Sequence, residues 1–109
     1  MTRVLFICGK NQLRSPTAEQ VFADYAHTET DSAGVSHDAD VMVSAEQIEW
    51  ADVIFVMENT HRRKLTQKYP RLLHNKRIIC LDIPDHYQYM QVELIELLKR
   101  KVTPHLNHS

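Results

Sequence analysis

Cys8 and Arg14 are separated by five residues in the run Cys8-Gly9-Lys10-Asn11-Gln12-Leu13-Arg14-Ser15-Pro16. A loop of that length can curl until its backbone N–H groups converge on one point, and a helix opening at Ser15-Pro16 would add the positive end of its dipole. Such a cradle holds a tetrahedral anion by main chain alone. The guanidinium of Arg14 adds a planar fork of donors suited to two phosphate oxygens, and its charge favours the thiolate form of Cys8, which is the nucleophilic form. The hydroxyl of Ser15 is available to donate to that thiolate and to help the sulfur leave later. The chemistry implied is attack of sulfur on phosphorus, with Gly9, Lys10, Asn11, Gln12, Leu13 and Arg14 as the substrate-binding loop.

Context separates this motif from a chance pair of Cys and Arg, which on its own marks nothing more than a small buried hydrophobe near a surface cation. The loop follows directly on Val4-Leu5-Phe6-Ile7, an apolar run expected to be a buried strand, and ends where a helical pattern starts. Of the two glycines in the chain, Gly9 follows the cysteine, where it permits close approach of backbone to ligand, and Asn11 is a type that tolerates a left-handed turn. A phenolate or alkoxide leaves poorly without a proton, so a positioned carboxylic acid is also required. Asp82, standing directly after the apolar run Ile78-Ile79-Cys80-Leu81 at the carboxyl end of an expected strand, is one candidate.

The elements that must position these groups are legible as alternating periods. Val4 to Ile7, Val53 to Met57 and Ile78 to Leu81 are apolar runs rich in β-branched residues and without polar alternation, expected as central parallel strands, and the more polar Thr30 to Ala33 suits an edge strand. Ala18, Val21, Phe22, Tyr25 and Ala26 mark one face of a first helix. Ser44 and Gln47 are spaced as a capping box for a short helix, Asn59 is a candidate cap for a basic helix to about Tyr69, and Leu94, Ile95, Leu98 and Val102 line a last helix. Strand and helix in alternation predict an α/β fold: a doubly wound four-stranded parallel sheet in the order 2-1-3-4 with helices on both faces and ligands at the carboxyl ends of the strands. The tail from Pro104 to Ser109 is expected to be loosely ordered.

With 109 residues, 43% of them hydrophobic, the chain supports one core, and residues 1–109 read as a single domain. A net charge of −1 gives no basis for a stable nucleic-acid complex. Charge is nonetheless segregated: Ser15 to His61 holds ten acidic residues and no Lys or Arg, and Arg62 to Arg77 holds seven basic residues and no acid. No run is long and apolar enough to span a bilayer and no leader is evident, so a cytoplasmic location without membrane association is expected. Cys8 and Cys80 form no disulfide framework, and the seven histidines show no ligand spacing, so neither metal nor cofactor is expected. Trp50 and Cys80 are expected in the core, and His37 and His86 near the pocket.

The sequence resembles the low-molecular-weight protein tyrosine phosphatase family, whose signature is an N-terminal strand, Cys-x5-Arg-Ser-Pro and then Ala-Glu in the first helix. Val4 to Glu19 carries that signature, and similarity continues at Ser32-Ala33-Gly34, at Ala51 to Met57 with Asn59, and at Ile83-Pro84-Asp85-His86-Tyr87. The resemblance implies Cys8 as nucleophile, Arg14 as phosphate clamp, Ser15 as the thiolate's donor, Asn11 and Ser32 as braces of the loop, and Asp85 as general acid. His86 replaces the proline of the family's Asp-Pro-Tyr segment.

Departures from the family bear on the substrate. The chain is short between Gly34 and Ser44 and after Met57, and Val35 to Val43 has no aromatic residue to wall a phosphotyrosine pocket. A phosphotyrosine protein, a nucleotide or 2′,3′-cyclic phosphate, or another small phosphoester are all open as substrates, with Lys10, Gln12 or the basic segment as contacts. A phosphate-binding module without turnover is a further alternative. Arsenate reduction on this fold would need more cysteines than Cys8 and Cys80, and Leu13 stands where many family members carry a second one.

Overall fold

A computed structural model describes residues 1–106 and shows four parallel strands and four helices in strict alternation. The strands are β1 (Thr2–Cys8), β2 (Thr28–Gly34), β3 (Val53–Val56) and β4 (Arg77–Cys80), in the sheet order β2-β1-β3-β4. The helices are α1 (Arg14–Phe22), α2 (Ala45–Trp50), α3 (Asn59–Lys68) and α4 (Val92–Leu106). This is the doubly wound α/β sheet that the alternating runs predict.

Period-two alternation on β1 divides the core. Val4, Phe6 and Cys8 face one side, with Phe55, α1 residues Ala18 and Phe22, and α4 residues Leu94, Leu98 and Val102. Leu5 and Ile7 face the other, with Ile54, Val56, Ile48 of α2 and Leu65 of α3. The rings of Phe22, Phe6 and Phe55 stack in sequence with centroids 5.9 and 5.5 Å apart, tying α1 to the two central strands. Apolar burial of this kind contributes roughly 1.5–3 kcal/mol per large side chain.

Several boundaries differ from the sequence expectation. α1 stops at Phe22, and Tyr25 joins the core from a turn that closes with His27 at φ 57°, the left-handed conformation that redirects the chain into β2. The third apolar run is not central: β4 is an edge strand, its residues are only partly buried, and Cys80 and Trp50 sit at the margin of the core. Ser44 and Gln47 form the expected capping box of α2. Glu58, rather than Asn59, stands at the N-cap of α3: its backbone carbonyl accepts from the backbone N–H of His61 at 3.0 Å, and the His61 ring accepts from the backbone N–H of Glu58 at 3.1 Å. α4 continues through Pro104 to Leu106, so that part of the tail is helical; residues 107–109 lie outside the described residues.

The carboxyl ends of β1, β2 and β3 converge on one rim, and Gly34 fastens two of them. A Cβ on Gly34 would collide with the carbonyl oxygen of Gly9 and lie 2.7 Å from the Cβ of Ala39. Val35 and Ser36 then donate backbone N–H groups to the carbonyls of Cys8 and Gly9 at 3.0 and 2.9 Å. The loop after β2 is thereby clamped against the loop after β1.

Candidate active site

The segment between β1 and α1 wraps around the sulfur of Cys8. Asn11, at φ 58°, turns the loop back so that its own N–H lies 3.2 Å from Cys8 Sγ. Among the described residues, the amides of Gly9, Lys10, Gln12, Leu13, Arg14 and Ser15 donate to no protein acceptor. Six free donors beside one buried sulfur, at the opening of a nine-residue helix, make a concave anion site. A Cβ on Gly9 would stand 3.8 Å from both His61 Nε2 and Ser36 Oγ, which is ordinary contact. The protein itself therefore does not demand glycine there, and approach of a ligand to the main chain remains its reason.

A polar chain reaches the sulfur from behind. Ser32 Oγ lies 2.5 Å from the carboxylate of Glu19 and donates to it, while the amide of Asn11 donates to Ser32 Oγ and to Ser15 Oγ at 3.0 Å each. Ser15 Oγ accepts from Asn11 and lies 2.9 Å from Cys8 Sγ, so toward a thiolate, which has no proton of its own, Ser15 is the donor. The order Glu19, Ser32, Asn11, Ser15, Cys8 thus orients a donor onto the sulfur.

Arg14 is 5% exposed and is hydrogen-bonded to protein through Nη1. Its Nη1 donates to Glu58 at 2.5 Å and to the carbonyl of Ile83 at 2.7 Å, and its Nε lies 3.7 Å from Asp85 Oδ1. Nη2 has no protein acceptor among the described residues. The Arg14 hydrogen bond is the largest influence on Glu58 and holds its carboxyl below the usual carboxylate range, against the opposing effect of burial.

A cavity of about 250 Å³ opens over the sulfur, lined by the loop residues Cys8 to Lys10 and Gln12 to Arg14 with Ser36 and Asp85. Its lining contains no aromatic side chain. Asp85 stands at the mouth, mostly exposed. Asp82 is not part of this cavity. It lines a separate hollow with Glu58, Asn59 and Pro84, in a left-handed turn at φ 53°, and accepts from the Cys80 thiol at 3.4 Å. Burial raises the pKa of that thiol, which keeps it protonated. Both cysteines are free, and β3 separates their strands, so their Cα atoms are about two strand spacings, roughly 10 Å, apart, beyond the reach of a disulfide.

Three residues at the site carry no local sequence signal: Ser36, Glu58 and His61. Each arrives through a long-range contact. His37 and His86 are exposed, with His37 in a neighbouring cleft, whereas His61 is buried against the loop. Burial first, then the charge of Arg14, pushes the His61 pKa down to about 4, so the ring is neutral near pH 7; because Nδ1 accepts from Glu58, its proton sits on Nε2. Between pH 6.5 and about 4 the unfolded chain takes up a proton that the folded one refuses, so stability is full above pH 6.5 and falls with acid by at most about 3 kcal/mol. Urea midpoints at pH 7 and pH 5 should therefore differ less in His61→Gln than in the parent. Glu58, whose stabilising effect is lost only below about pH 4.5, does not contribute in that window.

Comparison with known proteins bears on the N-terminal segment and on the fold. Residues 3–42 match the family model described as Low molecular weight phosphotyrosine protein phosphatase. No curated relative matched the sequence. Among solved structures, a low-molecular-weight protein tyrosine phosphatase from Streptococcus pyogenes is similar at a TM-score of 0.81 and 17% identity, covering 100% of this chain and 95% of its own. Wzb of Vibrio vulnificus in complex with benzylphosphonate gives 0.77 and 21%, covering 94% and 95%. A Cys-to-Ser mutant of the YwlE arginine phosphatase with a phosphorylated active-site serine gives 0.76 and 21%, covering 99% and 97%. The family model matches the N-terminal part of the chain, and the solved structures share its fold along nearly the whole length. Among the described residues no helix is long and apolar enough to cross a membrane.

Proposed function

We propose that this chain, as a protein of that family, hydrolyses phosphoesters in two steps through a phosphoryl group carried on Cys8. The observation that carries the proposal is a buried sulfur in a loop whose other amides donate to no protein acceptor among the described residues, with Ser15 Oγ at 2.9 Å and Arg14, whose Nη2 is likewise unpaired, lining the same cavity. In the first step Cys8 attacks phosphorus, the phosphorus–oxygen bond to the leaving group breaks, and Asp85 protonates the departing oxygen. In the second, water attacks the thiophosphate with Asp85 as base, the sulfur–phosphorus bond breaks, and the thiolate leaves toward the Ser15 hydroxyl. The loop amides and Arg14 neutralise the equatorial oxygens throughout.

Gly9, Lys10, Gln12 and Leu13 serve as the binding loop, Asn11 and Ser32 brace it, and Glu58 positions Arg14. The phosphorylated serine of the related arginine phosphatase mutant is consistent with phosphoryl transfer to the equivalent position. A rim without aromatic side chains gives little hold on a phenol ring, so the reaction class is better determined than the leaving group. Continuous assay of an aryl phosphate tests the proposal: turnover should persist in EDTA and be inhibited competitively by phosphate and vanadate. Binding of phosphate or vanadate with no turnover of aryl, peptidyl or nucleotide phosphates would make the chain a phosphate-binding module instead.

A further inference from the structure

Beside the catalytic cavity lies a second, larger cleft of about 530 Å³, and Ser36 lines both. One wall is the loop after β2, with His37 and Asp38; the other is the flank of α3, with Lys64 and Lys68. The charges on the two walls are not equivalent. Asp38 is paired with Lys10 of the cradle at 3.6 Å, whereas neither Lys64 nor Lys68 has a carboxylate partner among the described residues. Lys68 makes only a 3.8 Å contact to Met42 Sδ and stands 5.6 Å above the ring of Tyr69.

Two like charges four residues apart on one helix face repel each other. An anion between them relieves that repulsion and supplies the missing partner. The cleft contains no Phe, Tyr or Trp on which a nucleobase would stack. It is an open trough that meets the reaction cavity at a shared wall. An extended peptide advances about 3.3 Å per residue, so a side chain one to three residues from a phosphorylated residue held over Cys8 enters such a trough.

From this juxtaposition we infer that the cleft between α3 and the loop after β2 is a specificity subsite, in which Lys64 and Lys68 bind an acidic side chain flanking the phosphorylated residue of a protein substrate. This rests on the phosphoester hydrolase assigned above and narrows its substrate to acidic phosphopeptides. The subsite acts on peptide binding and leaves the chemistry over Cys8 untouched.

The test compares two phosphotyrosine peptides, with Asp-Glu flanks and with Gln-Asn flanks, and a small aryl phosphate, using the full chain and its Lys64→Gln/Lys68→Gln variant at low and high salt. At low salt the acidic peptide should be favoured in kcat/KM by about fivefold to tenfold, as two exposed ion pairs allow. The preference should collapse in the variant and in high salt, persist in Lys64→Arg/Lys68→Arg, and leave aryl phosphate turnover within twofold of the parent. Equal kcat/KM for the two peptides, or a preference that survives in the glutamine variant, overturns the subsite. A lysine-dependent preference for a nucleoside bisphosphate over the acidic peptide overturns the peptide assignment. Should the parent turn over no ester at all, the hydrolase assignment fails by itself, and the same peptide comparison by calorimetric binding to Cys8→Ser decides the subsite separately.

Discussion

Cys8→Ser is expected to lower turnover of an aryl phosphate by on the order of 10⁴-fold or more, while binding of inorganic phosphate stays within a few-fold of the parent. The two readouts separate because the cradle and the nucleophile are different groups. In the proposed site phosphate would be held by amides of the loop and by Arg14, none of which the substitution removes. A serine hydroxyl at the same place is a far weaker nucleophile than a thiolate, and its ester with phosphate is a poorer leaving group in the second step. The Ser15 hydroxyl, 2.9 Å from Cys8 Sγ, can donate to a thiolate, but it is not a base able to take the proton of a serine hydroxyl at that position. Measurement of kcat together with phosphate inhibition checks both halves. Loss of phosphate binding along with turnover would mean that the substitution had collapsed the loop and said nothing about the nucleophile, and Cys8→Ala then provides the comparison.

Asp85→Asn should slow hydrolysis of a phenyl or alkyl phosphate by about 10²–10⁴-fold, and that of a nitrophenyl ester much less. A proton matters most to the group that leaves least well, so a leaving-group-dependent loss is the signature of an acid, whereas a binding role would lower all esters alike. Asp85 stands at the mouth of the cavity over Cys8, where a departing oxygen would emerge, and the 3.7 Å separation from Arg14 Nε gives it an electrostatic tie to the clamp. Asp82 faces a different hollow and is engaged by the Cys80 thiol. Asp82→Asn is therefore expected to behave like the parent. The reverse pattern, with leaving-group dependence in Asp82→Asn alone, would transfer the role to Asp82 and require the turn between Leu81 and Asp85 to rearrange in the complex.

The sheet was legible because its information is local. Val4 to Ile7 and Val53 to Val56 are buried on both faces, and continuous apolar runs are what such strands require. The order of strands then follows from short right-handed crossovers. The loop was legible for a similar reason: Cys8, Asn11, Arg14 and Ser15 are near neighbours in the chain, and the geometry that joins them is set within one turn. Glu58, His61 and Ser36 were not. Glu58 takes its importance from a side chain 44 positions away, and its capping role from a reciprocal bond with a histidine that no capping pattern describes. Ser36 is brought in by two backbone bonds that Gly34 permits through close packing, a tertiary constraint with no periodic trace. The helical end at Pro104 to Leu106 was misread because proline weakens a helix only through the bond it cannot donate and the turn preceding it, and Val102 and the residues before it anchor that turn in the core. Asp85 and Asp82 are similar in sequence context, and only the fold separates the cavities they line.

The most direct measurement is rapid quenching of Asp85→Asn protein mixed with a nitrophenyl phosphate, followed by mass mapping of its peptides. That variant retains Cys8, Arg14 and the loop, and the activated ester forms the intermediate without an acid, while hydrolysis of the intermediate lacks its base. The account predicts a single added phosphoryl group on the peptide containing Cys8, appearing with the burst of nitrophenol and decaying at the steady-state rate. Steady turnover with no phosphoryl group on Cys8, or with one on a different residue, would contradict it.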